Sequence, residues 1–170
     1  MTRATAIALL PIFTMALVAG GCYSFRGGSV APHLHTVTIP QAEDISPQPY
    51  QAARELTTTA LIQKFRDDNT LRVVDATNPD SRLEVTLVSI NTQVRRNISG
   101  SELESVRGVE IVARSTFFDN VKKRAIYKDK AFTGVGQFNL SEGPAGEKRA
   151  VQDAINNLTS QILNDTVADW

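Results

Sequence analysis

Between residues 82 and 138 the chain carries three long runs patterned for strands, and they narrow the fold more than any other part of the sequence. In 82–94, Leu83, Val85 and Leu87 alternate with other residues before the phase slips to Val88 and Ile90, as at a bulge or a strand buried on both faces. In 106–118, Val109, Ile111, Ala113 and Phe117 keep one register, and 124–138 follows across a turn at Asp119-Asn120. Gly134 and Gly136 are expected to weaken the far end of that third run. A sheet of this kind has an apolar face that must be covered. Two amphipathic segments are available: one from Tyr50 to about Asp68-Asn69, with Ala53, Leu56, Thr57, Ala60, Leu61 and Phe65 on one face and Pro49 at its start, and one from Glu147, with Ala150, Val151, Ala154, Ile155, Leu158, Ile162 and Val167. Two short strands flank the first helix, 34–40 and 71–75, which predicts a parallel pair joined by a right-handed crossover. Residues 41–49 and 141–146 read as loops and 78–81 as a turn. The expected fold is an α+β two-layer sandwich in the order β-α-β-β-β-β-α. Four to five strands form a mixed sheet, with two helices on one face, as a single domain over 34–170.

The first residues belong to a different kind of chemistry. After one basic residue, Arg3, an uncharged run from Ala4 to Gly21 holds Ile7, Leu9, Leu10, Ile12, Phe13, Leu17 and Val18, and ends in Ala19-Gly20-Gly21-Cys22. A bilayer span needs roughly 20 strongly apolar residues; this run is interrupted by Pro11 and Thr14, so a cleaved export signal over 1–21 fits better. Small residues leading into the only cysteine of the sequence resemble a bacterial lipobox, which implies acylation of Cys22. A lone cysteine excludes an internal disulfide. Tyr23, not aspartate, follows it, and by the same resemblance this points to the outer membrane, with the domain lipid-anchored and facing the periplasm. Residues 22–33, with Gly27, Gly28, Ser29 and Pro32, read as the tether between lipid and domain.

Charge and side-chain chemistry favour binding over catalysis. Without residues 1–21 the chain keeps 17 Lys and Arg against 18 Asp and Glu, which gives no support to a nucleic-acid partner. Its two histidines, His33 and His35, would share a face if both lay on a strand, but no cysteine or acidic cluster nearby completes a four-ligand shell, so no metal is expected. Gly134-Val135-Gly136 lacks the third glycine and the following helix of a dinucleotide fingerprint. No catalytic residues, and no cofactor beyond the lipid on Cys22, are read from the sequence. The basic residues are the remaining candidates: Arg95 and Arg96 just past one strand, and Lys122, Lys123 and Arg124 at the last hairpin turn. Such residues keep strand edges soluble and unpaired; they also suit a phosphate-bearing glycolipid or an acidic barrel surface.

Cys22-Tyr23-Ser24-Phe25-Arg26-Gly27-Gly28, then Pro32, then His35-Thr36-Val37-Thr38-Ile39-Pro40 form a pattern of lipidated cysteine, aromatic-rich start, small-residue tether and strand ending in Ile-Pro. With the helix bearing Leu56 and Phe65, the Leu71-Arg72-Val73-Val74 strand, the segment 80–88 and a C-terminal helix ending in Trp170, the chain resembles the LptE family of lipopolysaccharide-assembly lipoproteins. It departs from the family's frequent Cys-Gly-Tyr-Ser-Phe in lacking the glycine. The resemblance implies an outer-membrane lipoprotein that plugs and supports an LptD-type β-barrel and assists lipopolysaccharide transport. Barrel and lipopolysaccharide are then the partners, and Arg95, Arg96, Lys122, Lys123 and Arg124 the candidate contacts on physical grounds. The alternative is a lipid-anchored periplasmic binding or adaptor module for another envelope partner or ligand.

Overall fold

Strand pairing in the computed structural model, which describes residues 30–95 and 106–168, follows the period-two pattern closely. The order is β1 (Thr36–Thr38), β2 (Glu43–Asp44), α1 (Ala53–Asp68), β3 (Arg72–Val73), β4 (Ser81–Arg95), β5 (Val106–Asp119), β6 (Arg124–Asn139), a single 3-10 turn (Leu140–Glu142) and α2 (Gly143–Ala168). The sheet runs β3-β1-β4-β5-β6, with β2 also paired to β4. β1 is parallel to β3 and β4, β2 is parallel to β4, and β4, β5 and β6 form an antiparallel meander. This is the expected two-layer α+β sandwich, including the parallel pairing of the strands that flank the first helix.

Three details differ from the sequence reading, each for a local reason. First, β2 lies inside the polar segment taken as a loop. Thr38 pairs with Arg82 and Glu43 with Thr86, so the β1–β2 side carries one more residue than β4 between the same two rungs. The chain leaves the ladder at Ile39 and Pro40, where proline has no N–H to donate, and buries Ile39 and Ala42 before rejoining. Second, β6 is not weakened by Gly134 and Gly136; its pairing with β5 continues to Asn139. A Cβ on Gly134 would collide with the carbonyl of Ala154, and one on Gly136 with the carbonyl of Ala150. The missing side chains let the α2 backbone rest directly on the strand. Third, α2 starts at Gly143, ahead of Glu147, because Pro144 suits a first helical turn, where no N–H is required of it.

The phase slip at Val88 is a bulge: Leu87 pairs with Ala113, and Ser89, not Val88, pairs with Val112. It returns Ile90 to the buried face already lined by Leu83, Val85 and Leu87. Against that face α1 inserts Ala53, Thr57, Leu61 and Phe65, and α2 inserts Ala150, Val151, Ala154, Ile155, Leu158 and Ile162. Phe65 and Phe117 are fully buried, each contributing about 1.5–3 kcal/mol by removal of apolar surface from water. The core reaches back to Val30 and Leu34. α2 also covers the free edge of β6, where Asn157 Nδ2 donates to the Val135 carbonyl at 2.7 Å and Gln161 Nε2 to the Thr133 carbonyl at 2.9 Å. Those carbonyls are thereby withheld from another chain's strand.

Candidate functional site

β5 ends in a buried carboxylate, and the end of the sheet is organised around it. Asp119 Oδ1 accepts the backbone N–H of Val121 at 2.9 Å and of Lys122 at 2.8 Å, closing the turn into β6. Its Oδ2 accepts a hydrogen bond from His33 Nε2 at 2.7 Å. Burial pushes the Asp119 carboxyl up, but the Lys122 N–H, the His33 bond and charge, and the Val121 N–H together outweigh it and hold the group below the usual carboxylate range.

Asp80 does the same work one turn away. Its Oδ2 accepts the N–H of His35 and of Thr36, both at 3.0 Å, and the Thr36 hydroxyl at 2.9 Å, while Thr36 Oγ1 accepts the Asp80 N–H at 2.9 Å. Burial raises this carboxyl too, and the bonds from His35 and Thr36 outweigh it, so Asp80 also titrates below its ordinary value. Asn120 ties the two turns, donating its N–H to the Asp80 carbonyl and its side-chain amide to the Pro79 carbonyl, each at 2.9 Å. Three segments far apart in sequence, 33–36, 79–81 and 119–122, thus form one hydrogen-bonded block.

A cleft of about 570 Å³ opens on this block, with Thr38, Asp80, Arg82, Asn120, Val121 and Lys123 among its walls. Arg82 Nε lies 2.7 Å from Glu84 Oε1, both half-exposed, a surface pair worth about 0–1 kcal/mol. Lys122, Lys123 and Arg124 are exposed, and among the described residues none of the three side chains has an acidic partner. Lys123 is held at φ 55°, the left-handed region that a side chain other than glycine, asparagine or aspartate seldom occupies. Cationic groups beside two carboxylates that are each engaged in three hydrogen bonds can take an anionic oxygen group. Among the described residues no three His, Cys, Asp or Glu side chains gather where a metal ion could be held.

The structure brings together only part of what the sequence singled out. Lys122, Lys123 and Arg124 stand side by side. Arg95 is the last residue of β4 and pairs through its backbone with Arg107, at the opposite end of a β5 strand about 40 Å long at the usual rise per residue; the two basic groups are not one patch. Arg96 and Cys22 lie outside the described residues. His33 and His35 both precede β1 and do not share a strand face: His33 sits in a turn against Asp119, and His35 is exposed, engaged through its backbone. Sequence reading missed Asp80 and Asp119. For Asp119 the available signal was its place at the strand junction Asp119-Asn120, where a short carboxylate caps the backbone two or three residues on; the partners of Asp80 are His35 and Thr36, far away in sequence, and no local pattern reports them.

No family model and no curated protein matches the sequence. Among solved structures, a DUF330-family protein from Xanthomonas campestris has a TM-score of 0.54 at 14% identity, over 80% of this chain and 88% of that one. Rare lipoprotein B from Shewanella oneidensis has a TM-score of 0.46 at 14% identity, over 74% of this chain and 92% of that one. Lipoprotein GNA1162 from Neisseria meningitidis has a TM-score of 0.43 at 10% identity, over 77% of this chain and 96% of that one. The last two are bacterial lipoproteins; the likeness to the first shows that this chain shares the fold of the DUF330-family protein.

Proposed function

We propose that this chain is an envelope lipoprotein, acylated at Cys22 and held in the outer membrane. There it supports an LptD-type β-barrel in lipopolysaccharide assembly, acting by binding and not by catalysis. The observation that carries the reading is the run Ala19-Gly20-Gly21-Cys22 followed, after a short glycine-containing segment, by a β-α-β unit and an antiparallel meander, the arrangement that the sequence resemblance to the LptE family implies. The sheet supports it further. Both helices cover one face, and the positions that alternate with the buried ones leave Arg114, Thr133 and Gln137 exposed on the other. A domain seated in a polar barrel lumen needs such a rigid, hydrogen-bonding surface. The edge of β6, closed by Asn157 and Gln161, limits unwanted strand addition while the two proteins assemble.

The test is an affinity pull-down of the acylated protein from detergent-solubilised outer membranes, with bound proteins identified by mass spectrometry. Recovery of a large LptD-type barrel in near-equal amount is the expected result. Recovery of the lipoprotein without a barrel, with lipid confirmed on Cys22, leaves an anchored binding module for a different envelope partner and removes the translocon assignment.

A further inference from the structure

We propose that the turn from Val121 to Arg124 is a second membrane contact, lying against the anionic phosphate headgroups of the bilayer that holds the Cys22 lipid and fixing how the domain sits on it. The proposal rests on the acylation of Cys22 and is independent of the barrel partner.

Four observations converge on this turn. The first is where the chain enters the domain. His33 and the turn are bound to the two oxygens of one carboxylate, Asp119 Oδ2 on one side and Oδ1 on the other, so the tether joins the folded domain beside Lys122. The second is reach: Val30 is eight Cα steps from Cys22, and at full extension these span no more than about 28 Å. The opposite end of β5 is about 40 Å from the turn. Of the two ends of the sheet, the lipid therefore holds this one closest to the bilayer.

The third observation is composition. Lys122, Lys123 and Arg124 are exposed and have no acidic partner among the described residues. Val121, on the same turn, is an exposed apolar side chain at 55%. An apolar residue beside a cluster of cations matches the layering of a bilayer surface, with acyl boundary below phosphate. The fourth is the backbone. Asp119 fixes the N–H groups of Val121 and Lys122, and Lys123 is kept at positive φ where glycine would be relaxed. The cations are thus presented on a pre-formed turn and not on a mobile loop, which lowers the ordering needed on contact. A basic patch is a common second membrane signal beside a lipid; here the patch also sets orientation, because it lies on a turn fixed to the folded domain.

The test uses the acylated protein in phosphatidylcholine vesicles with and without phosphatidylglycerol. Because Cys22 is the only cysteine and its thiol carries the lipid, Val121→Cys and, separately, Leu140→Cys each add a single reactive thiol for an environment-sensitive fluorophore. Leu140, 46% exposed beyond the other end of β6, is the control. The expected result is a blue-shifted position-121 probe, quenched by headgroup-labelled lipid, only when phosphatidylglycerol is present. The signal is reversed by high salt and abolished in Lys122→Gln/Lys123→Gln/Arg124→Gln, while the position-140 probe stays in water. A position-121 probe as solvent-exposed as the one at 140, or contact unaffected by phosphatidylglycerol and by the triple change, overturns the proposal.

Mass spectrometry of the same sample separates this from the anchor reading. If Cys22 is unmodified, the lipoprotein reading fails, and flotation of the chain itself on phosphatidylglycerol vesicles decides the patch. Loss of three cations is then expected to weaken binding roughly 100-fold, and no change overturns it.

Discussion

At the end of the sheet where β5 turns into β6, polar atoms set the geometry: Asp80 and Asp119 each collect three hydrogen bonds, and Tyr127, Thr166 and Ser115 link the last part of α2 to the strands. At the other end, where α2 begins, shape sets it, through Gly134 and Gly136 beneath the carbonyls of Ala154 and Ala150. The same helix and the same three strands are therefore held by carboxylates and hydroxyls at one end and, at the other, by close steric fit together with the neutral amide bonds of Asn157 and Gln161. The two ends should fail in different ways. The polar end answers to charge and pH and can absorb a change of volume through its turns. The steric end answers chiefly to volume, and its ion pair, Glu142 with Arg149, is partly exposed and contributes little.

The sharpest way to break this comparison is at the steric end. Gly136→Val places a branched side chain where even a Cβ meets the Ala150 carbonyl, so α2 must lift or tilt along its length. Overpacking of this kind costs about 3 kcal/mol, read as a fall in the urea midpoint, and the loss should be the same at pH 7 and pH 5. A loss below about 1 kcal/mol shows that helix and strand can slide apart freely, and the steric account of this end fails.

At the polar end, Asp119→Ala removes the acceptor for Val121, Lys122 and His33. Bonds to a charged partner contribute about 1.5–3 kcal/mol each when buried, but the turn itself is exposed and water replaces part of the loss, so about 2 kcal/mol is expected in all. The local readout is faster amide exchange at Val121 and Lys122 with the amides of β6 beyond Phe132 unchanged. Exchange that rises equally over the whole sheet contradicts the division into two ends.

How much of this was legible before the structure depends on the kind of force involved. Periodicity placed the three long strands, the phase slip after Leu87 and both helical faces, because burial is read directly from alternation; that the slip is a bulge follows from the strand pairing. It could not place β2, two residues long and polar, whose pairing depends on where β4 offers an edge. Gly134 and Gly136 were visible but misread, since a glycine that weakens a strand and one that admits a helix look alike until the helix is in position. The aspartates went unread for a similar reason: Asp119 is bound in part by His33, 86 positions away, and no local pattern reports such a bond. In the candidate site, the cluster Lys122-Lys123-Arg124 was legible as sequence, whereas its separation from Arg95 and its closeness to the tether follow only from strand pairing.

A smaller effect, confined to the polar end, is expected from acid. Asp80 and Asp119 both titrate below their ordinary value in the folded chain. A carboxyl of this kind binds fewer protons folded than unfolded, so its contribution is complete above the unfolded value of about 3.9 and is lost as pH falls through the lower folded value. Urea midpoints should therefore hold steady from pH 7 to about 5 as far as these two groups are concerned and fall below pH 4. Asp119→Ala should flatten that fall, and Gly136→Val should leave its slope unchanged. A fall of unaltered slope in Asp119→Ala assigns the acid sensitivity elsewhere.

The mildest expected change tests whether the hydroxyl links at the polar end add strength or only alignment. Tyr127 is largely buried, with its hydroxyl 2.9 Å from Thr166 Oγ1 and 3.3 Å from Ser115 Oγ. Burial pushes its ionisation above the ordinary value, the bonds to Ser115 and Thr166 oppose that rise, and the charge of Asp165 adds to it. Tyr127→Phe removes the hydroxyl yet orphans neither partner: Thr166 still donates to the Ile162 carbonyl at 2.7 Å and Ser115 to the Glu84 carbonyl at 3.1 Å. The ring contacts with Phe117 and Phe132 remain, as does the 2.6 Å pair of Lys130 with Asp165. What is lost is the net worth of neutral hydrogen bonds, about 1 kcal/mol, half the loss from Asp119→Ala. A loss in Tyr127→Phe as large as that from Asp119→Ala places the anchor of this end in the helix contact and not in the carboxylate block. The turn that carries Lys122, Lys123 and Arg124 would then depend on α2 for its shape. A loss near zero leaves Asp119 and Asp80 as the joints that carry this end of the sheet.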